Sequence, residues 1–385
     1  MHKVLFVIPH LYGSMRLLVD YTRFLDPAEY QLTFLSLSDD VRLKSELPSA
    51  VRLIVAGKPE GQTGWLRVFP RMLTEARRHD LVVGWAELTP TYLAAAAATV
   101  ARKPVVGWVH TNLSEVLRPG RRPAWAHRPM VRLIYPKLGS VVAVSEDLAL
   151  DLRRSFRLTN VRAITNGIDI ERVRCRGQEP VPKRARHLFE KPALVKVGLL
   201  SNPKNHELLL LAHAEVMRQK VDHNLLLVGD GQLEAHLRTM ATRLGVTDSV
   251  HFLGYLDNPL PVIRASRALV LSSHWEGFAI VLVEALALGT PTVSVDCPSG
   301  PREILGDGKF GLLVPPENPH ALAEAMKLVL TDSATFDRLH AVGPGGAERY
   351  RISDKARQMD ALFDSLIERC PDGELVPQRA CRSQS

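Results

Sequence analysis

Two glutamates, Glu276 and Glu284, stand in the stretch Ser272-Ser273-His274-Trp275-Glu276-Gly277-Phe278-Ala279, which continues as Ile280-Val281-Leu282-Val283-Glu284-Ala285-Leu286-Ala287. The apolar run before it, Ala268-Leu269-Val270-Leu271, reads as a buried strand. Residues from Ala279 to Leu288 are good helix formers, and Gly289 and Pro291 stop them. The pattern predicts strand, glycine turn and helix. Glu276 then falls in the loop at a helix N-terminus, and Glu284 about two turns inside the helix. Free N–H groups at such an end bind an anion such as a phosphate. A carboxylate on either side accepts hydrogen bonds from hydroxyls. A ligand hydroxylated at both ends and anionic in the middle suits this arrangement, and a nucleotide sugar is such a ligand. Glutamates at this spacing also occur as solvated helix-end charges, so the surrounding segments must decide.

Those segments read as alternating strands and helices. Val4-Leu5-Phe6-Val7-Ile8 is a continuous apolar run, as in a central parallel strand covered on both faces. The loop Pro9-His10-Leu11-Tyr12-Gly13-Ser14 and an amphipathic helix from about Met15 to Leu25 complete the first unit of a doubly wound fold. Further strands are expected at residues 32–35, 51–55, 81–83, 104–109 and 140–145, with helices between most of them. The last helices are expected at about Pro319 to Leu330, Ala334 to Arg349 and Ser353 to Arg369. His110 ends the strand Val105 to Val109, where ligands bind in such sheets, and a capping or core histidine is the other reading. Residues 172–192 are rich in Arg, Pro and Lys and lack periodicity, which places a domain boundary there. Two domains result, 1–185 and 186–370, with a disordered tail at 371–385.

With these elements around it, the Glu-x7-Glu stretch resembles the donor-site motif of the retaining glycosyltransferases of family 4. That family has the α/β GT-B fold, two doubly wound Rossmann-like domains facing across a cleft. The turn Thr165-Asn166-Gly167-Ile168-Asp169 is similar to the family's Asn-Gly-Ile-Asp turn, which closes the first domain. In Gly198-Leu199-Leu200-Ser201-Asn202-Pro203-Lys204, Lys204 matches a family lysine that holds the donor diphosphate. Leu199 stands where the family has an arginine, and Lys196 and Arg302 are the cations nearby in sequence. Gly13 matches the glycine near the donor phosphates, although the first loop is poorer in glycine than is usual. Residue by residue, the resemblance implies His110 and Glu276 as catalytic residues. It implies Gly13, Lys204, Gly254, Tyr255, Glu276, Gly277, Phe278, Ala279 and Glu284 as the donor-binding set. Gly254 and Tyr255 would border the base, and the last helix would cross back to the first domain.

The string Asp296-Cys297-Pro298-Ser299-Gly300-Pro301-Arg302-Glu303-Ile304-Leu305 resembles the branch that builds bacterial exopolysaccharide and lipid-linked glycans. The resemblance implies transfer of a hexose or N-acetylhexosamine, with retention, from a UDP-sugar to a polyprenyl-diphosphate-linked acceptor. Two other readings stay open: a catalytically silent nucleotide-sugar-binding partner in an assembly complex, motivated by Leu199, and a GT-B-fold sugar-nucleotide epimerase.

Composition bounds the partners. The 385 residues carry a net charge of +8 and 46% apolar side chains, enough for two cores. The charge is local: residues 101–190 hold 18 Lys and Arg against 8 Asp and Glu. Such a field suits a phospholipid surface or a diphosphate-linked substrate. The segment 118–137, with Arg118, Arg121, Arg122, Arg128, Arg132 and Lys137 among Trp125, Ile134 and Tyr135, reads either as a peripheral contact with an anionic membrane or as a solvated face. Nothing is patterned for zinc or nucleic acid, and no Asp-x-Asp occurs, so no metal or other cofactor is expected. Cys175, Cys297, Cys370 and Cys381 form no C-x-x-C pair and fit a reduced protein. The N-terminus reads as a strand, so the expected location is cytoplasmic, or peripheral on the inner face of the plasma membrane.

Overall fold

Val4 to Ile8 are fully buried, as a strand covered on both faces requires. In the computed structural model, which describes residues 1–57, 64–118 and 124–368, this run lies inside a seven-stranded parallel sheet. Its strands are β1 (His2–Ile8), β2 (Tyr30–Ser36), β3 (Arg52–Val55), β4 (Leu81–Gly84), β5 (Val105–Val109), β6 (Ser140–Ala143) and β7 (Val161–Ala163), in the order β3-β2-β1-β4-β5-β6-β7. A six-stranded parallel sheet follows, built from β8 (Ala193–Val197), β9 (Asn224–Val228), β10 (Val250–Gly254), β11 (Ala268–Leu271), β12 (Thr292–Val295) and β13 (Leu312–Val314). Its order is β10-β9-β8-β11-β12-β13. Each order reverses once, between β1 and β4 and between β8 and β11. A doubly wound sheet opens its ligand crevice at that switch point, outside the carboxyl ends of the strands. Strand β7 was not expected, because three residues interrupted by Arg162 carry no apolar run.

Several helices depart from the sequence pattern. After a 3-10 turn at Gly13–Met15 the first helix is only Arg16–Tyr21, shorter than the expected 15–25. The Thr22 hydroxyl bonds back to the Val19 carbonyl at 2.6 Å, an alternative to continuing the helix. The boundary segment is also more ordered than its composition suggests. Ile170–Gly177 is a helix, capped by the Asp169 carboxylate accepting from Arg172 N at 3.0 Å, and Val173 is buried. Its arginines are spent in pairs on both halves of the molecule. Arg172 meets Asp20, and Arg174 meets Glu348 at 3.1 Å. Charges used this way hide the periodicity of a short helix.

The chain returns to its first domain at the end. Ile168 forms a parallel bridge with Arg351. A Cβ on Gly167 would stand 2.6 Å from Ile352 Cα, so only glycine fits this crossing. The helix Ile352–Ile367 then lies on the first sheet, with Phe363 at 6.1 Å from the Phe6 ring and the Tyr30 hydroxyl donating to Asp364 Oδ1 at 2.6 Å. Residues 371–385 lie outside the described residues.

The alanine run forms the helix Thr89–Ala101, and Ala94, Ala95, Ala97 and Ala98 are buried. The basic segment holds the helix Ala124–Ile134; Arg121 and Arg122 lie outside the described residues. Arg128 and Arg132, one turn apart, share a helical face, and Lys137 does not join them. Arg128 packs over the Phe156 ring, Arg132 reaches the Ser155 carbonyl at 3.5 Å, and Lys137 belongs to the following 3-10 turn. Among the described residues no helix is long and apolar enough to cross a membrane.

Candidate functional site

The two domains enclose a cavity of about 420 Å³ lined by Gly13, Lys204, Tyr255, Glu276, Phe278, Ala279 and Glu284. Seven of the expected residues therefore meet in one place, brought there by the loops after β1, β8, β10 and β11.

Glu276 sits in the loop between β11 and the helix Ile280–Ala287 and is 7% exposed. Lys204 Nζ donates to both its oxygens, at 2.8 and 2.7 Å, and the Ser273 hydroxyl donates to Oε1 at 2.7 Å. Burial alone would raise this carboxyl. The Lys204 charge and hydrogen bonds, the Ser273 hydroxyl and the Lys196 charge overcome it and hold Glu276 below the usual carboxylate range. Lys204 closes a 3-10 turn, and the next residue, Asn205, takes a left-handed conformation and caps the following helix through its side chain. The Ser272 hydroxyl bonds the Asn205 carbonyl at 2.8 Å, and His274 N bonds the Pro203 carbonyl at 2.9 Å. The two loops that carry the ion pair are thus stitched together.

The helix beside the pair begins at Ile280, so Glu284 lies about one turn inside it rather than two. Its carboxyl is pushed up to about 7, by burial first and then by Asp20, while Arg176 and Arg16 pull it down. Asp20, Arg16 and Arg172 line the same cavity from the first domain and the boundary helix. None was expected from sequence. Arg16 donates to Glu46 at 2.6 Å, and Arg172 bridges Asp20 and Glu46. For Arg16 and Asp20, the positions three and seven residues after Gly13, on a helix opening from the first loop, were the available signal.

Three expected residues are placed elsewhere. Gly277 touches the first domain instead of lining the cavity: a Cβ there would run into the His110 carbonyl, and its own carbonyl accepts from the Ser145 hydroxyl at 2.8 Å. Gly254 has φ +67 and accepts from Gly229 N at 2.9 Å, which turns the end of β10 and leaves Tyr255 to face the cavity. His110 lies at the end of β5 as expected, but outside the cavity wall. Its backbone N donates to Glu87 Oε2 at 3.0 Å, its ring lies 5.2 Å from Trp85, and its Nε2 is buried with no hydrogen-bond partner among the described residues. Burial lowers it to about 4, so it is neutral at neutral pH.

The domains meet in further polar contacts. Asn112 Nδ2 donates to Ser299 Oγ at 3.0 Å, and Glu146 N donates to Glu303 Oε2 at 3.0 Å. Burial and the nearby Glu276 push the Cys297 thiol well up, which removes any thiolate nucleophile. Of the cations near the expected arginine, Arg302 is bound to Asp296 and Asp307 outside the cavity. Leu199 lines the cavity and is 61% exposed.

Two doubly wound parallel sheets with a crevice between their carboxyl ends are the GT-B architecture of glycosyltransferases. A crystal structure of Anabaena Alr3699/HepE in complex with UDP and glucose superposes with a TM-score of 0.79 over 95% of this chain and 100% of that one, at 21% identity. The model of Glycosyltransferase Family 4 matches residues 13–172, and that of Glycosyl transferases group 1 matches residues 181–349. A phosphatidyl-myo-inositol mannosyltransferase of Mycobacterium leprae is 30% identical over 70% of this chain and 69% of its own. The N-acetylgalactosamine-N,N'-diacetylbacillosaminyl-diphospho-undecaprenol 4-alpha-N-acetylgalactosaminyltransferase of Campylobacter jejuni is 31% identical over 62% of this chain, and the match spans 60% of that protein's length. The chain belongs to glycosyltransferase family 4.

Proposed function

We propose that this protein transfers a hexose or N-acetylhexosamine from a UDP-sugar to a polyprenyl-diphosphate-linked glycan, with retention of configuration and without a resident metal. The observation that carries the reading is the Lys204–Glu276 pair beside the N-terminus of the helix Ile280–Ala287, with Glu284 on the same wall. In this reading the donor diphosphate lies against the N–H groups near Phe278 and Ala279 and draws Lys204 to itself. Glu276 then accepts from hydroxyls of the transferred sugar, and Glu284 from the ribose. A cation and fixed dipoles meet the charge that develops on the leaving diphosphate, which is electrostatic catalysis. Neutral His110 stands on the first-domain side, where the acceptor would enter.

The acceptor class is supported by the Campylobacter relative, named for a diphospho-undecaprenol substrate, and the nucleotide by the Anabaena structure, which holds UDP. The helix Ala124–Ile134 exposes Trp125, Met130 and Leu133 beside Arg132. Apolar side chains next to cations fit peripheral contact with an anionic membrane, where a lipid-linked acceptor would be met on the cytoplasmic face. Leu199 favours a second reading, a catalytically silent partner, because the expected guanidinium is missing from the cavity wall.

Thermal stabilisation by UDP, GDP, ADP and a panel of UDP-sugars separates the two, since bound ligand raises stability by mass action. The expected result is a shift with UDP and UDP-sugars that is lost in Lys204→Ala. No shift with any nucleotide would overturn the donor-site reading.

A further inference from the structure

Strand β8 carries a lysine where a doubly covered strand calls for an apolar side chain. Lys196 is 1% exposed, and its Nζ is buried with no hydrogen-bond partner among the described residues. Leaving an ammonium in that state is costly, so its surroundings bear on its use. The charged and titratable groups that face it come from each neighbouring loop. They are Lys204 after β8, His206 at the start of the next helix, Glu276 after β11 and Cys297 after β12. Burial and then Lys204 push Lys196 down to about 7, while Glu276 and Cys297 pull the other way. The Nδ1 of His206 is also buried without a hydrogen-bond partner among the described residues.

One carboxylate therefore interacts with two lysines, Lys204 by hydrogen bonds and Lys196 by charge alone. Lys204 occupies both oxygens of Glu276, and burial and then the like charge of Lys204 hold Lys196 back from protonation. A diphosphate in the cavity changes that balance. Lys204 is the only one of the two lysines that lines the cavity, so it is the one that can turn to the ligand. Its departure would leave Glu276 buried with a single hydrogen bond from Ser273. A buried carboxylate without a counter-charge is easier to protonate, and the neutral carboxyl is a weaker acceptor for a sugar hydroxyl.

We propose that Lys196 is a positioning residue that keeps Glu276 ionised when Lys204 turns to the donor diphosphate, and that it takes up a proton from solvent as the donor binds. The proposal rests on the donor-site reading above. It also accounts for a site that works without a guanidinium at position 199: the positive charge arrives on Lys196 with the ligand.

The test is calorimetry of UDP-glucose and UDP-N-acetylglucosamine binding at about pH 8, in two buffers of different ionisation enthalpy. These donors carry no group titrating near that pH, so net proton uptake reports on the protein. Wild type is expected to take up close to about one proton per donor bound. Lys196→Met, of similar length and uncharged, is expected to lose the uptake and to bind roughly tenfold more weakly. Without donor it should keep or raise the melting temperature, because a buried amine with no hydrogen-bond partner among the described residues is gone. The acid limb of its transfer activity should move to higher pH as Glu276 becomes easier to protonate. Unchanged proton uptake in Lys196→Met, or uptake that disappears only in Glu284→Gln, would overturn the role of Lys196 while leaving the donor site intact. Failure of wild type to bind any nucleotide sugar would overturn the donor-site reading itself.

Discussion

The two walls of the cleft treat their polar groups differently. On the second-domain wall Lys204, Glu276 and Ser273 are joined by hydrogen bonds of 2.7 and 2.8 Å, and the loops that carry them are bonded to each other. On the first-domain side Arg16 and Asp20 line the cavity but are paired with Glu46 and Arg172, and behind the cavity wall the Nε2 of His110 has no partner among the described residues. Burial raises the Glu87 carboxyl, whose Oε2 holds only the His110 backbone N–H among the hydrogen bonds described. The second-domain wall holds its Lys204–Glu276 pair beside the helix N-terminus, as preorganised electrostatic catalysis requires. The other supplies closure, as its Asn112, Ser145 and Glu146 bond Ser299, Gly277 and Glu303 of the second domain. The difference teaches that recognition and closure are separable here, and substitutions can separate them.

The largest effect is expected on the fixed wall. Glu276→Ala removes the counter-charge of Lys204 and Lys196 together. Transfer should fall at least about 100-fold. Stability should fall by roughly 3 kcal/mol, at the low end for a broken buried pair because the Lys204 side chain is 29% exposed. Transfer within tenfold of wild type would remove Glu276 from the chemistry. A smaller and more selective effect is expected at the closure contact. Gly277→Ala drives a methyl group into the His110 carbonyl, at a cost of about 1–3 kcal/mol against the closed arrangement. Stabilisation by UDP should survive, because the cavity wall of the second domain is untouched, while transfer drops about tenfold or more. Loss of both together would mean that Gly277 serves the donor wall after all.

The same contrast explains what could be read from the sequence. The sheets announce themselves as apolar runs, and the seven strands expected above lie within a few residues of their places. The fixed wall was legible because each part is a local segment: Lys204 ends one strand-loop unit, and Glu276, Phe278, Ala279 and Glu284 belong to another. The closure wall was not. Gly277 sits among donor residues in sequence, yet its packing against His110 is set by how two domains meet, which no local pattern encodes. Arg16, Asp20 and Arg172 look like surface charges, and only the packing of the boundary helix on the first domain pairs Arg172 with Asp20 at the cavity. Lys196 was visible as a charge in an apolar strand, but its burial beside Glu276 depends on two further loops.

The finest probe of the comparison is Glu284, which belongs to one wall and is tuned by the other. Burial is the main reason its carboxyl rises to about 7, and Asp20, from the first domain, is the next. Because the folded value lies above the ordinary one, the folded state binds more protons than the unfolded chain between about pH 4.5 and 7. Stability from this group is therefore full below that window, falls as pH rises through it, and stays lowered above it. Glu284→Gln keeps the shape and cannot ionise. Its melting temperature should match wild type near pH 4 and exceed it above about pH 7, by a difference on the order of 1 kcal/mol, modest because part of the residue faces the open cavity. Asp20→Asn should give part of the same gain in wild-type Glu284, and almost none when combined with Glu284→Gln. Additive gains from the two changes would mean that the walls do not sense each other's charge, and that Glu284 is tuned by burial alone.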